Sequence, residues 1–406
     1  MIGILAKKAA NQIERLGKLT NLIIKNSTQE KRATRTRKKG IRLNSYLLEG
    51  IGSFLEPSVF SAGRMMLLIF LLYVFLGVFS TVPMLYPLEL AMGMILIFIA
   101  IAMIQLGGKM GKLPKRLPYH VPNYDFWGGI FLLGTLGLIL NYLQVGTPLF
   151  NPDIRPYYHN MLWSVSMIFY VMGMTMTAIN HRNRNVFVLL SLLSIILSVL
   201  SGFRTDFIIF LFPLLFFFYF FRKSGRSAFL LALLVVSVIA IIGIKYLLII
   251  FGGSALGVEQ ISFARAGFSL YVLSILIKNV GILGLTHGAV WLNSFVLQFF
   301  GFPIAPIGAI VSEMVINMAK SHASTLVGPL YLEFGVLGVI IGSLVLGFLC
   351  ELPHRIYKTT RNYFFLGLYS INLSILLVWV ETGIVQYYLA FLFFVIGFWC
   401  LQWLRR

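Results

Sequence analysis

Apolar residues fill this chain in runs close to the twenty or so positions that carry a helix across a hydrocarbon core, separated by short polar breaks. Ten such runs are read, at 64–83, 87–106, 124–143, 160–179, 186–203, 207–221, 227–250, 328–349, 363–381 and 384–404. The pattern predicts an all-α fold, a polytopic bundle of transmembrane helices. Two parts fall outside it. Residues 1–63 form a basic N-terminal segment, and residues 252–327 form a long stretch ahead of the eighth span within the membrane domain 64–406. In that stretch the apolar residues after Phe268 are interrupted by Lys278-Asn279 after only about ten positions. Such a break suits an amphipathic or re-entrant pair of short helices over 268–300 better than two clean spans.

Charge then orients the spans. With the N-terminus on the cytoplasmic side, Lys109, Lys112, Lys115 and Arg116 fall inside, as do Arg222, Lys223 and Arg226, then Arg355, Lys358 and Arg361. Every alternate loop therefore obeys the positive-inside rule. The formal net charge of +20 belongs to these faces and to the bilayer as partner, not to nucleic acid. In the N-terminal segment Leu5, Ala9, Ile13, Leu16, Leu19 and Ile23 recur at helical spacing among lysines and arginines, which predicts a helix lying on the inner leaflet. No apolar core with a cleavage site follows the early lysines, so a signal peptide is not expected. The two cysteines, Cys350 and Cys400, lie near cytoplasmic ends and imply no disulfide framework.

Few cations remain for the outer half, and a charge near membrane depth is kept where it meets a partner, water or an anionic ligand. Arg204 stands in Ser201-Gly202-Phe203-Arg204-Thr205-Asp206, a tight break between two apolar spans. Two readings of it stay open: an ion pair with Asp206 or snorkelling to the interface, and a guanidinium fork facing a phosphate or pyrophosphate. Arg155 lies in Gly146-Thr147-Pro148-Leu149-Phe150 through Tyr157-Tyr158, an outer loop read as too rich in proline and aromatic residues to be helical. Its tyrosines are either interfacial anchors or rings that receive sugars. Arg265, Glu313, Lys320 and His322 lie in the long outer segment. A lone histidine there is by default an interface or capping residue. The six histidines occur singly, no metal-ligand spacing is present, and no Gly-rich phosphate loop suggests nucleotide hydrolysis.

The run His322-Ala323-Ser324-Thr325-Leu326, followed by Gly328-Pro329-Leu330-Tyr331-Leu332-Glu333-Phe334-Gly335, resembles the end of the large outer loop of O-antigen polymerases (Wzy-type) and the wider O-antigen ligase superfamily. Ser201-Gly202-Phe203-Arg204-Thr205 resembles the arginine-bearing turn of that superfamily. Gly146-Thr147-Pro148-Leu149-Phe150 is similar to a segment of oligosaccharide repeat unit polymerases. The resemblance extends over most of residues 64–400 in motif order and span order. It implies a metal-independent, cofactor-free membrane glycosyltransferase of the GT-C type, joining oligosaccharide units carried on polyprenyl pyrophosphate at the outer face of the cytoplasmic membrane. On that resemblance Arg204 and Arg265 would hold the donor pyrophosphate and His322 would assist or position the acceptor hydroxyl. Glu313 is a rival base and Glu333 an orienter. Arg155, Tyr157, Asp206 and Tyr331 complete the substrate-contacting set, and a chain-length regulator is the expected protein partner. Ligase-type sequences commonly place Asn after the histidine. Ala323 stands here, which favours polymerase over ligase. The alternatives are a ligase-type transferase, a transporter or flippase for lipid-linked oligosaccharide, and a non-catalytic assembly partner.

Overall fold

The computed structural model describes residues 61–78, 86–110, 124–151, 154–181, 184–221, 258–283, 285–288 and 324–384. The N-terminal segment and the spans read at 227–250 and 384–404 lie outside the described residues, as do Glu313, Lys320 and His322. Every regular element among the described residues is an α-helix. In order these are α1 (Ala62–Val78), α2 (Pro87–Lys109), α3 (Tyr124–Val145), α4 (Arg155–Tyr158), α5 (Met161–His181), α6 (Arg184–Ser201), α7 (Arg204–Phe221), α8 (Val258–Leu283), α9 (Val327–Thr360) and α10 (Tyr363–Thr382). Five of them, α2, α3, α5, α9 and α10, are long and apolar enough to cross a membrane. The chain is a multi-pass helical membrane protein.

Helix ends follow local chemistry. Proline opens α2, where its missing N–H is no loss, with Glu89 in the first turn and Lys109 in the last, each sign at its favourable pole of the helix. Asn362 caps α10 by accepting from the Phe364 N–H at 2.7 Å. Helix α10 is the axis of the packing. Every side chain from Phe364 to Val380 is buried, as expected for a helix apolar on all faces and enclosed by others. Helix α3 shows the opposite pattern. Leu132, Leu133, Leu136, Leu140 and Leu143 are exposed along it and form the kind of face a lipid tail covers.

Close approach depends on small residues, because lipid offers little hydrophobic drive for one helix to seek another. In the parallel pair α2 and α9, Gly107 lies against the Leu344 backbone and Gly347 against the Ile104 backbone. At the far end of this pair the Arg355 guanidinium donates to the Met110 carbonyl. In the antiparallel pair α3 and α5, Gly134 meets the Tyr170 backbone and Gly173 meets that of Phe131.

Three expectations are corrected. The eighth span does not stop at 349. Helix α9 runs on to Thr360, because Glu351 and His354 are buried and satisfied inside the bundle: Glu351 Oε1 accepts from the Ala62 N–H at 2.5 Å and the Tyr369 hydroxyl at 3.1 Å, while Oε2 lies 2.9 Å from His354 Nδ1. The linker after α3, read as non-helical, contains the single turn α4, with Pro156 just inside its start. The break expected at Lys278-Asn279 is absent, since one 26-residue helix, α8, runs through it to Leu283; residues 289–300 of the expected pair lie outside the described residues. The charge does not break α8 because Lys278 is exposed and its Nζ sits 3.9 Å from the centre of the Tyr86 ring. Helix α8 crosses one end of the α1–α2 pair. Ser269 accepts from the Tyr73 hydroxyl at 3.0 Å, Ala266 lies by Gly77, and Leu273 and Ile277 lie by Gly93.

Helix α9 is broken after its second turn. Phe334 (φ −136°, ψ 19°) and Gly335 (φ 62°, ψ −142°) leave the helical region, the second in a conformation that glycine alone adopts readily. The freed carbonyls are not orphaned. Leu332 O accepts from the Thr286 N–H at 3.1 Å and Glu333 O from the His287 N–H at 2.9 Å. The Thr286 hydroxyl adds a 2.7 Å bond to Glu333 Oε2. The 285–288 strap thus locks to the break.

Two outcomes follow. Gly347→Ala drives a methyl into the Ile104 backbone and lowers the unfolding temperature of the detergent-solubilised chain by the equivalent of about 1–3 kcal/mol, whereas Gly128→Ala, with open space around it, leaves that temperature unchanged or higher. Thr286→Val removes the hydroxyl from buried Glu333 and costs about 1–3 kcal/mol in the same melting assay, while Thr286→Ser costs less than half of that.

Candidate functional site

The candidate residues collect at one end of the bundle through two short connections. Gly146 (φ 93°) ends α3, and the Thr147 carbonyl accepts from Phe150 and Asn151, folding Pro148-Leu149 into a turn. The Leu149 N–H then donates to Leu200 O at 3.3 Å, tying this linker to the end of α6. Gly202 (φ 66°) ends α6, and the Ser201 hydroxyl accepts the Phe203 N–H at 3.2 Å, so α7 can start at once with Arg204. Asn160 closes the linker by accepting from the Trp163 N–H at 2.8 Å, as a helix cap does.

Where linker and turn meet, aromatic rings pack around two ionisable side chains. Tyr158 stacks on Phe203, with ring centres 5.7 Å apart. The His159 ring lies 4.2 Å from that of Trp163 and 4.3 Å from that of Phe203. His159 Nε2 is 3.7 Å from Asp206 Oδ1, and Asp206 is fully buried in the first turn of α7. Burial, followed by the nearby Asp206 carboxylate, pushes the Tyr158 phenol far up, so it stays a neutral hydroxyl. From below, Tyr142 donates to Leu197 O at 2.6 Å and Asn141 to Tyr158 O at 3.2 Å.

The sequence-predicted residues divide into three groups. Asp206 and Tyr157 lie at this junction, the first buried and the second exposed. Arg155 opens α4 and Arg204 opens α7, so both backbones stand there too, although neither side chain is among those described. Tyr331 and Glu333 belong to the second group, on the short first part of α9. Tyr331 packs against the Val272–Leu276 face of α8, and Glu333 is engaged by Thr286. Arg265 is one residue ahead of Ala266 in α8, without a described side chain. His322 and Glu313 form the third group, outside the described residues.

The helices of the first two groups meet through α10. Phe216, late in α7, packs on Tyr369, early in α10, with Arg204 at the start of α7 and Gly383 just past the end of α10. There Gly383 lies against the Thr325 carbonyl and Pro329 at the start of α9. His159 was not singled out from the sequence, where it is one more solitary histidine. Its position directly after Tyr157-Tyr158 was the available signal, but the partner carboxylate sits in a different connection.

A protein of Methanocaldococcus jannaschii described as uncharacterized is 24% identical over 268 residues, 65% of this chain and 72% of that protein. No solved structure matches the chain. The model of the family described as "Putative O-antigen polymerase" matches residues 59–394, from the start of α1 to beyond α10, and the chain belongs to that family.

Proposed function

We propose that the protein is a membrane glycosyltransferase that polymerises oligosaccharide repeat units delivered on polyprenyl pyrophosphate at the outer face of the cytoplasmic membrane. The observation that carries the reading is the family match over 59–394, taken with the convergence of the linker and the arginine-bearing turn at one end of the bundle. The basic residues Lys109, Arg355, Lys358 and Arg361 stand at the C-terminal ends of α2 and α9, and under the positive-inside rule this supports reading their other ends as the outer side.

Arg204 and Arg265 would bind the pyrophosphate and stabilise the charge that develops as it departs, a role for which a guanidinium suits better than an ammonium. Arg155 and Tyr157 would contact the sugars, with exposed Tyr157 offering a ring face. His322 and Glu313 would act on the acceptor side. Glu333 serves them indirectly, by holding the strap to the break in α9. No metal or nucleotide is needed, because the donor arrives already activated as a pyrophosphate ester.

The flippase reading has one observation in its favour, since a broken helix is a device of transporters. Here the carbonyls freed at the break are taken by Thr286 and His287 instead of facing an open path. A transferase fits that closed break better. Deleting the gene should leave surface glycan with one repeat unit, or the single unit on its lipid, and Arg204→Ala should reproduce that state with chain abundance unchanged. Analysis of extracted lipid-linked sugars and of surface glycan by gel and mass spectrometry checks it. Single units trapped on the cytoplasmic face would favour a flippase, and long chains retained on lipid would favour a ligase.

A further inference from the structure

Helices α2 and α9 run side by side toward the same end, and each carries one exposed row of side chains that changes there from apolar to cationic. On α2 the exposed residues Ile95, Phe98, Ala102 and Leu106 recur three or four positions apart and lead to exposed Lys109. On α9 Leu337, Ile341 and Val345 are exposed at the same spacing. That row continues through partly exposed Phe348 and Leu352 to Arg355 and exposed Lys358. The Arg355 guanidinium donates to the Met110 carbonyl, which joins the two cationic ends and covers the negative pole of α2. Lys109 precedes Met110 by one residue, and Lys358 stands one turn beyond Arg355. Neither lysine has an ion pair among the described residues. Arg361 follows on the next turn, by the Tyr357 phenol. The nearest carboxylate of α9, Glu351, is buried and already taken by Ala62, Tyr369 and His354.

We propose that this end of the α2–α9 pair binds an anionic phospholipid, with an acyl chain along the exposed apolar rows and the phosphate headgroup at Lys109 and Lys358. A cation at the end of a span is what the positive-inside rule requires, and that rule orients a chain without selecting a lipid. Three further features select one here. Cations from two different helices are set together by the Arg355 contact, no described carboxylate neutralises them, and apolar rows lead directly into them. A molecule with an apolar tail and an anionic head matches the whole surface. A soluble anion matches its end alone. Basic surfaces between membrane helices take anionic headgroups in this way, each cation adding to the attraction. The site does not depend on the transferase reading, since it lies at the C-terminal ends of α2 and α9 and uses none of the residues assigned to donor or acceptor.

The test titrates the full chain, purified in detergent, with phosphatidylglycerol or phosphatidylcholine and counts bound lipid by native mass spectrometry. Wild type should hold phosphatidylglycerol at least about tenfold more tightly than phosphatidylcholine. Lys109→Gln and Lys358→Gln should each weaken phosphatidylglycerol about fivefold, and the double variant about 25-fold, with phosphatidylcholine unchanged. Lys278→Gln removes an exposed cation from α8 and should leave both affinities within about twofold of wild type. Equal affinity of wild type for the two lipids overturns the proposal, as does a folded double variant that binds phosphatidylglycerol like wild type. Inorganic phosphate that displaces the lipid at equal concentration also overturns it, because the apolar rows would then contribute nothing. Where the double variant fails to insert, the salt dependence of wild type replaces it. Raising ammonium acetate about tenfold should weaken phosphatidylglycerol and leave phosphatidylcholine unchanged, and equal responses of the two lipids overturn the proposal.

Discussion

In hydrocarbon a backbone carbonyl without a partner costs several kcal/mol, and the interruption of α9 at Phe334–Gly335 exists only because another segment supplies the missing donors. Thr286 and His287 give their N–H groups to Leu332 and Glu333, and the Thr286 hydroxyl binds the Glu333 carboxylate. The bond set does more than repair a helix. It fixes the end of α8 to the first part of α9, and so fixes where the chain enters the long segment between them. The residues that lead into α9 carry strain of their own: Thr325, β-branched and fully buried, has φ 61°. Strain of this kind persists only where the surroundings determine it, and here the Gly383 backbone packs directly against the Thr325 carbonyl.

That lock would be of little use in a loose bundle. Helix α10 holds it, with no exposed side chain between Phe364 and Val380, and the glycine contacts bring α2 onto α9 and α3 onto α5 at backbone distance. Close packing of α3, α5, α6 and α7 places the two short connections against each other. Neither connection has enough residues of its own to make a cavity or a core. Their joint structure comes from Leu149 bonded to Leu200, Tyr142 bonded to Leu197, and Tyr158 stacked on Phe203. A site formed this way inherits its precision from the helices below it.

Much of the frame was legible in the sequence, for a physical reason. Bilayer thickness sets run length, so the spans beginning near Pro87, Tyr124, Met161 and Tyr363 were read close to their ends, and Pro87 and Gly202 mark their boundaries by backbone chemistry alone. Legibility failed where polarity was mistaken for an end. The eighth span was read to 349, ahead of the inside cations Arg355, Lys358 and Arg361, yet Glu351 and His354 find partners at Ala62, Tyr369 and each other and α9 goes on. Lys278 read as a helix break, yet Tyr86 from a distant part of the chain accommodates it. In the site, Arg204 and Asp206 were visible because a polar turn between apolar spans is conspicuous. His159 was not, since the carboxylate it faces belongs to α7, and an approach between distant elements leaves no periodic trace in one sequence.

The three described buried carboxylates separate structure from chemistry. Glu351 is surrounded by donors: a backbone N–H, a tyrosine hydroxyl and a histidine, which together join α1, α9 and α10. Glu333 receives a threonine hydroxyl and secures a break. Both look like groups whose desolvation is offset by hydrogen bonds, as a stable core requires. Among the described residues Asp206 is more buried than either and less satisfied, with His159 Nε2 3.7 Å from one carboxylate oxygen and the other without a hydrogen-bond partner. A carboxylate serving only as a fastener would gain by acquiring the donors that Glu351 has, and serine or asparagine nearby could supply them. The contrast gives the described bundle a polarity: the Glu351 end is built for cohesion, while at the Asp206 end a buried carboxylate oxygen has no hydrogen-bond partner among the described residues.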